Sequence, residues 1–453
     1  MGVARMSSRS QAATSHGEPA RHGTFVAFRY RNFTLMWFAS LLSSSGTWLQ
    51  NVAVPFVIFR LTDSGVWLGI AGFLSYVPMV ITGPLAGSLA DRFNRRSVLM
   101  VCGVAQTILT LGLCIDYARG ERRIGVIVLL LALNSTAAGF SVASWQAFVT
   151  ELVPREHLLN AVTLNSAQFN AARAFGPAVG GIVLATLGAS WSFFINAMTF
   201  VVMVVALLFV HVAKIERPPR VGRSKPIAEM MTAIRYVRTQ SGIVVCLMVV
   251  FALGFFGGPL FNLLVVFADR VYGIGDGAYG LLAGCMGAGA IIAAPFVAGR
   301  GNRTSRSTML TIAMVGYGLA LISLAAAPVA IVGAIALLFA GAGYLGISST
   351  LNTTVQMQVA EHMRGRVLAF YVMVLTVAIP IGSLIQGWLV DIIGVQWTVA
   401  GAGFLFLCVF AVFRFGFDAF GTMDDLTQDL LSSEDAQLAI AEAEAIESAI
   451  DPL

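Results

Sequence analysis

Gly87-Ser88-Leu89-Ala90-Asp91-Arg92-Phe93-Asn94-Arg95-Arg96 concentrates charge in a chain that carries little of it, and it stands between two apolar runs, 65–90 and 97–117. Of the 453 residues, 57% are apolar and only 11% charged, against about 25% charged in soluble domains. With so little polar surface, lipid must be the main solvent. Lipid admits only helices or closed barrels, because every backbone N–H and C=O has to be paired internally. Runs of about 20 residues are the length of a membrane-crossing helix rather than of a strand.

Working outward from that break, apolar periodicity places spans near 33–59, 65–90, 97–117, 124–150, 158–187 and 190–212. A second set follows near 242–268, 278–299, 307–327, 329–356, 366–391 and 396–416. The expectation is an all-α membrane protein of twelve spans in two pseudo-symmetric six-helix bundles, 33–212 and 242–416. Residues 1–32 form an N-terminal tail with no apolar core of a cleavable signal, so the first span would direct insertion. Residues 213–241 form a basic linker in which Ile227, Met230, Ile234 and Val237 share one helical face, as in a helix lying on the membrane surface. Residues 417–453 form an acidic tail that anionic lipid would repel.

Most of the 28 Lys and Arg fall on the side of the tails and the linker, which places both termini in the cytoplasm. The exceptions are Arg60, Arg119, Arg122, Arg123 and Arg270 on the other side, and Arg173 within a span. A weak internal repeat accompanies the two halves: Ser97-Val98-Leu99-Met100 opens the third span as Ser307-Thr308-Met309-Leu310 opens the ninth.

The charged loop has a physical logic. Gly83 and Gly87, one turn apart, permit close helix contact. Asp91 is placed to face the positive N-terminus of a neighbouring helix. Arg92, Arg95 and Arg96 need a carboxylate, for which Glu151 is the candidate; alternatively they merely fix topology. Asn94 is expected to tolerate a left-handed turn. In span five, Ala172-Arg173-Ala174-Phe175-Gly176-Pro177-Ala178-Val179-Gly180-Gly181 combines a bend at Pro177 with small residues. Gly176 and Gly180 are expected to offer a smooth face to span eight, where Gly280, Gly284 and Ala288 have the same spacing.

Residues 87–96 closely resemble the signature loop of the major facilitator superfamily, with Asn94 in place of its glycine. The segment around Gly176, Pro177, Gly180 and Gly181 resembles that superfamily's antiporter motif, with Ala172 in place of the first glycine. Gly46-Thr47-Trp48-Leu49-Gln50-Asn51 and Met363-Arg364-Gly365-Arg366-Val367 are similar to the branch of the enterobactin exporter and of macrolide and multidrug efflux pumps. The resemblance implies the major facilitator fold, a conformational latch at Gly87, Asp91, Arg92, Arg95, Arg96 and Glu151, and a central cavity lined by spans one, four, seven and ten.

Arg173 lies about halfway through its span, on one face with Ser166, Asn170 and Pro177. An unpaired arginine there costs about 2.5–3.5 kcal/mol or more, so it is expected to point into a polar cavity, to meet substrate or to organise a helix interface. Further cavity candidates by helical face are Trp48 and Asn51, Asn134 and Trp145, Phe255 and Asn262, and Tyr344 and Asn352. Aromatic faces with few charges suit an amphiphilic solute. The resulting expectation is a secondary transporter of a bacterial inner membrane that exports small drug- or siderophore-like molecules by alternating access. Its partners are the bilayer, the solute and protons, and it acts as a monomer. No catalysis, cofactor, metal or nucleic acid is expected. No carboxylate lies at mid-span, which leaves Glu151, Asp269 or Asp391 for proton coupling and keeps an importer or facilitator as the rival.

Overall fold

The computed structural model describes residues 25–210, 226–300 and 305–416, apart from 121 and 275. The terminal tails and most of the linker, including the basic residues 214–225, lie outside the described residues. The described chain is helical almost throughout. The first bundle comprises α1 (Arg31–Thr62), α2 (Gly65–Arg92), α3 (Arg95–Ala118), α4 (Ile124–Val149), α5 (Leu158–Leu187) and α6 (Ala189–Phe209). A short helix, α7 (Pro226–Arg238), leads to the second bundle. That bundle holds α8 (Ser241–Ala252), α9 (Leu260–Val266), α10 (Asp276–Arg300), α11 (Arg306–Ala326), α12 (Ala330–Gln358), α13 (Glu361–Ile393) and α14 (Val395–Ala411).

Among the described residues, ten spans are long and apolar enough to cross a bilayer, with α8 and α9 counted as one over Ser241–Val271. Helices α1 and α5, at 32 and 30 residues, are long enough but fall outside that set. Gln50 and Asn51 interrupt the apolar character of α1, and Arg173 that of α5. These are also residues that face the cavity or its polar wall.

The span 241–271 is not the regular helix that periodicity predicts. Residues Leu253–Gly257 form a π-helical turn, and Pro259 follows at the head of α9. Pro259 has no N–H for the carbonyl four residues back, that of Phe255. Gln386 of α13 supplies the missing donor: its Nε2 lies 2.7 Å from the Phe255 oxygen and 3.3 Å from that of Phe256. Gln386 is buried, so its amide closes a backbone account that lipid could not.

Helix α7 buries Ala233 and Val237 against the second bundle and leaves Arg235 and Arg238 exposed. Tyr236 accepts the Ala360 N–H at 3.2 Å, tying α7 to the start of α13. Of the expected apolar face, Val237 is buried, Met230 and Ile234 are half-buried, and the side chain of Ile227 lies outside the described residues.

The bundles meet along two seams, α2 with α13 and α5 with α10. Their polar joints gather at the end bearing the α1–α2 turn. Asp391 of α13 accepts from Ser64 Oγ at 2.7 Å, Gly65 N at 2.6 Å and Val66 N at 3.0 Å. A carboxylate from one bundle thus caps the first turn of a helix in the other, where the helix dipole favours negative charge. Arg270 pairs with Asp63 at 2.9 Å, and Arg60 with Asp269 at 3.4 Å. The molecule is sealed at the α1–α2 end.

Candidate functional site: a central cavity with one charge

Below the seal, the bundles enclose a cavity of about 620 Å³. Of the expected residues, Trp48, Asn51, Asn134, Arg173, Asn262 and Tyr344 border it, as does Pro177. The side chain of Asn170 lies outside the described residues.

Three expected residues lie elsewhere. Phe255 stacks on Phe251, with centroids 5.9 Å apart, and faces an apolar crevice between α7, α8, α13 and α14. The expected face assumed regular helix, whereas the π turn shifts the register by about one residue, or roughly 100°. Past that shift, the expected Asn262 borders the cavity, with Phe261 beside it. Trp145 points within the first bundle, donating Nε1 to Asn165 Oδ1 at 3.1 Å. Asn352 lies a turn beyond Ser348, and its Oδ1 accepts from Gln356 on its own helix.

Asn134 borders the cavity, yet its amide is committed to protein. Its Oδ1 accepts from Gln106 at 3.3 Å and its Nδ2 donates to Thr110 at 3.2 Å. Thr110 donates to Gln50 Oε1, which also accepts from Asn196 at 2.8 Å. This buried chain joins α1, α3, α4 and α6, and its members satisfy one another as polar groups in a dry interior must. Helical faces read one span at a time do not reveal it. Tyr76 and Phe261 were also not singled out, and both border the cavity. Phe261 meets Trp48 edge-on across the bundles at 5.8 Å.

Arg173 is the centre of the site. Its guanidinium lies over the Tyr344 ring, 4.9 Å from the centroid, linking α5 to α12 across the two bundles. Its side chain is accessible because it borders the cavity, while protein surrounds it on the remaining sides. It is the one charged residue among the described cavity-lining residues.

The small residues of α5 divide their work. A Cβ at Gly176 would overlap Trp48, and one at Gly180 would stand 3.1 Å from Leu49 Cα, so both face α1. The expectation that they face span eight is corrected: their side of the helix points into their own bundle. Gly181 and Ala178, on the adjacent face, meet Gly280 and Gly284. Gly181 and Gly280 are in backbone contact, with no room for a Cβ on either.

At the α2–α3 turn, only the backbone of Gly87, Asp91 and Arg92 is described. Arg95 donates to Glu151 Oε1 at 2.8 Å and to the Ala147 carbonyl at 2.9 Å. Arg96 reaches the last carbonyls of α6, Leu207 at 2.7 Å and Leu208 at 3.1 Å, where the helix dipole favours a cation. Asn94 has φ −65° and not a left-handed turn; its Oδ1 caps α3 by accepting from Arg96 N at 3.0 Å. A short amide side chain lends itself to that capping role.

The model of a family described as transmembrane secretion effector matches residues 22–444. The chain belongs to this family of major facilitator transporters. Members of the superfamily move solutes and are not enzymes. The staphyloferrin A transporter of Staphylococcus aureus is 23% identical over 383 residues, covering 83% of this chain and 94% of that protein. The multidrug efflux pump Tap of Mycobacterium tuberculosis is 25% identical over 387 residues, covering 83% and 90%. Among solved structures, a bacterial homologue of the lysosomal transporter Spinster, inward-facing and unoccupied, superposes with a TM-score of 0.68 at 13% identity. It covers 87% of this chain and 98% of its own, and at that identity the likeness concerns the fold.

Proposed function

We propose that this major facilitator protein exports a small amphiphilic molecule, drug-like or siderophore-like, across a bacterial inner membrane. The observation that carries the reading is the cavity itself. It lies between the bundles, is sealed at one end by Asp391 and the Gly181–Gly280 contact, and presents Trp48, Phe261 and Tyr344 as apolar surface. With the termini cytoplasmic, as the distribution of Lys and Arg favours, the sealed end is the outer one and the structure is the inward-facing member of an alternating pair. The siderophore and multidrug relatives support the substrate class.

Export against a gradient needs a driving ion, and protons are the proposed one. Glu151 and Asp269 pair with Arg95 and Arg60, and Asp391 caps α2. Proton coupling, on this reading, acts at a gate rather than in the cavity. A facilitated carrier is favoured by one observation: no carboxylate borders the cavity among the described residues. The test is retention of amphiphilic dyes in cells with and without the gene, repeated after collapse of the pH gradient. Export predicts higher retention without the gene, and proton coupling predicts that the difference vanishes with the gradient. A difference that survives collapse selects the carrier, and no difference rejects export.

A further inference from the structure

Arg173 lies over the Tyr344 ring, Tyr76 borders the same cavity, and no carboxylate lines it among the described residues. A guanidinium carries more N–H donors than one ring face can use. A cation–π contact is also weaker than the cost of holding an unpaired charge at mid-membrane. Part of the guanidinium fork therefore faces open cavity, with charge that nothing in the described protein neutralises.

The rest of the lining defines what would complete it. Trp48 and Phe261 supply apolar body contact from opposite bundles. Asn51 and Asn262 border the same space, and among the described residues neither amide makes hydrogen bonds like those of Asn134. We infer that the cargo carries a carboxylate or comparable oxyanion, received by Arg173, with an apolar body resting against the joined Trp48 and Phe261 rings. This rests on the reading of the cavity as an amphiphile site and narrows it: the chain is a transporter of organic anions and discriminates against cationic amphiphiles. Planar, bidentate recognition is what arginine offers a carboxylate, and the same charge repels a cation with no acid nearby to offset it.

The probes are 1-pyrenebutyrate, 1-pyrenebutanol and 1-pyrenebutylamine, which share a skeleton and differ in charge. Binding to the full chain in neutral-lipid nanodiscs is read as the saturable part of the energy transfer from tryptophan to pyrene, with the signal of empty discs subtracted. The expected order is butyrate at least about ten-fold tighter than butanol, the scale of a charge-assisted hydrogen bond, with butylamine weakest. Arg173→Gln should bring butyrate affinity down to that of butanol, while Arg173→Lys keeps a reduced preference for butyrate. Butylamine binding as tightly as butyrate overturns the inference and leaves the amphiphile reading standing. So does a butyrate preference that survives Arg173→Gln, or one lost equally in Arg173→Lys. Absence of saturable transfer to all three probes overturns the amphiphile reading and this inference with it.

Discussion

Replacing Asp391 by alanine removes a carboxylate that holds the two bundles together at the sealed end. Three hydrogen bonds go with it, to Ser64 Oγ, Gly65 N and Val66 N, at 2.7, 2.6 and 3.0 Å. Hydrogen bonds to a charged group contribute about 1.5–3 kcal/mol each when buried, and a charge at a helix N-terminus about 0.3–1 kcal/mol when exposed. Asp391 is exposed, so water replaces much of what is lost, and the net effect should be about 1–2 kcal/mol. The neighbouring ion pairs cannot compensate: Arg270–Asp63 and Arg60–Asp269 have side chains 37% to 76% exposed, and exposed pairs contribute about 0–1 kcal/mol. The sealed-to-open equilibrium should thus move about ten-fold toward opening at that end. Spin labels at Leu187 and Ile392, exposed positions on opposite bundles, report it as distance distributions by double electron–electron resonance. Asp391→Ala should populate a longer distance that is minor in the parent, and Asp391→Asn should fall between the two. An unchanged distribution in Asp391→Ala would refute the capping argument.

Two further perturbations test the packing. Gly181→Leu forces a side chain into the backbone contact with Gly280; overpacking of this kind costs about 1–3 kcal/mol, so the same labels should lose the short distance. Gln386→Ala leaves the buried Phe255 carbonyl unpaired, a loss of about 1–3 kcal/mol. Pro259→Ala restores an N–H at that position, so the double variant should be more stable to heat than the sum of the single changes implies, and strict additivity would contradict the pairing.

The fold was legible because apolar runs of helix length and a biased distribution of Lys and Arg are properties of composition and order alone. The site was legible only in part, and the reasons are local. Arg173 declares itself by its cost in the membrane, whatever its neighbours. Trp48 and Tyr344 follow from helical faces, because α1 and α12 run as regular helices through the cavity. Phe255 does not, because the π turn at Leu253–Gly257 changes the register in a way no fixed period anticipates. The orientation of Gly176 and Gly180 toward Trp48 and Leu49 depends on how α5 is rotated in its bundle. A motif marks where close contact occurs but not with which helix. Gln386 and the chain from Asn196 through Gln50 and Thr110 to Asn134 are relations between spans, visible only once the helices are assembled.

The central claim is that the space between the bundles is the route of export, and transport into everted membrane vesicles tests it most directly. Ser348 borders the cavity near Tyr344, and Ser348→Trp would fill that space without touching either seam. The account predicts that energised everted vesicles carrying the protein accumulate 1-pyrenebutyrate above vesicles without it, and that Ser348→Trp, inserted at normal levels, abolishes the excess. Accumulation by Ser348→Trp at the parent's rate would contradict it.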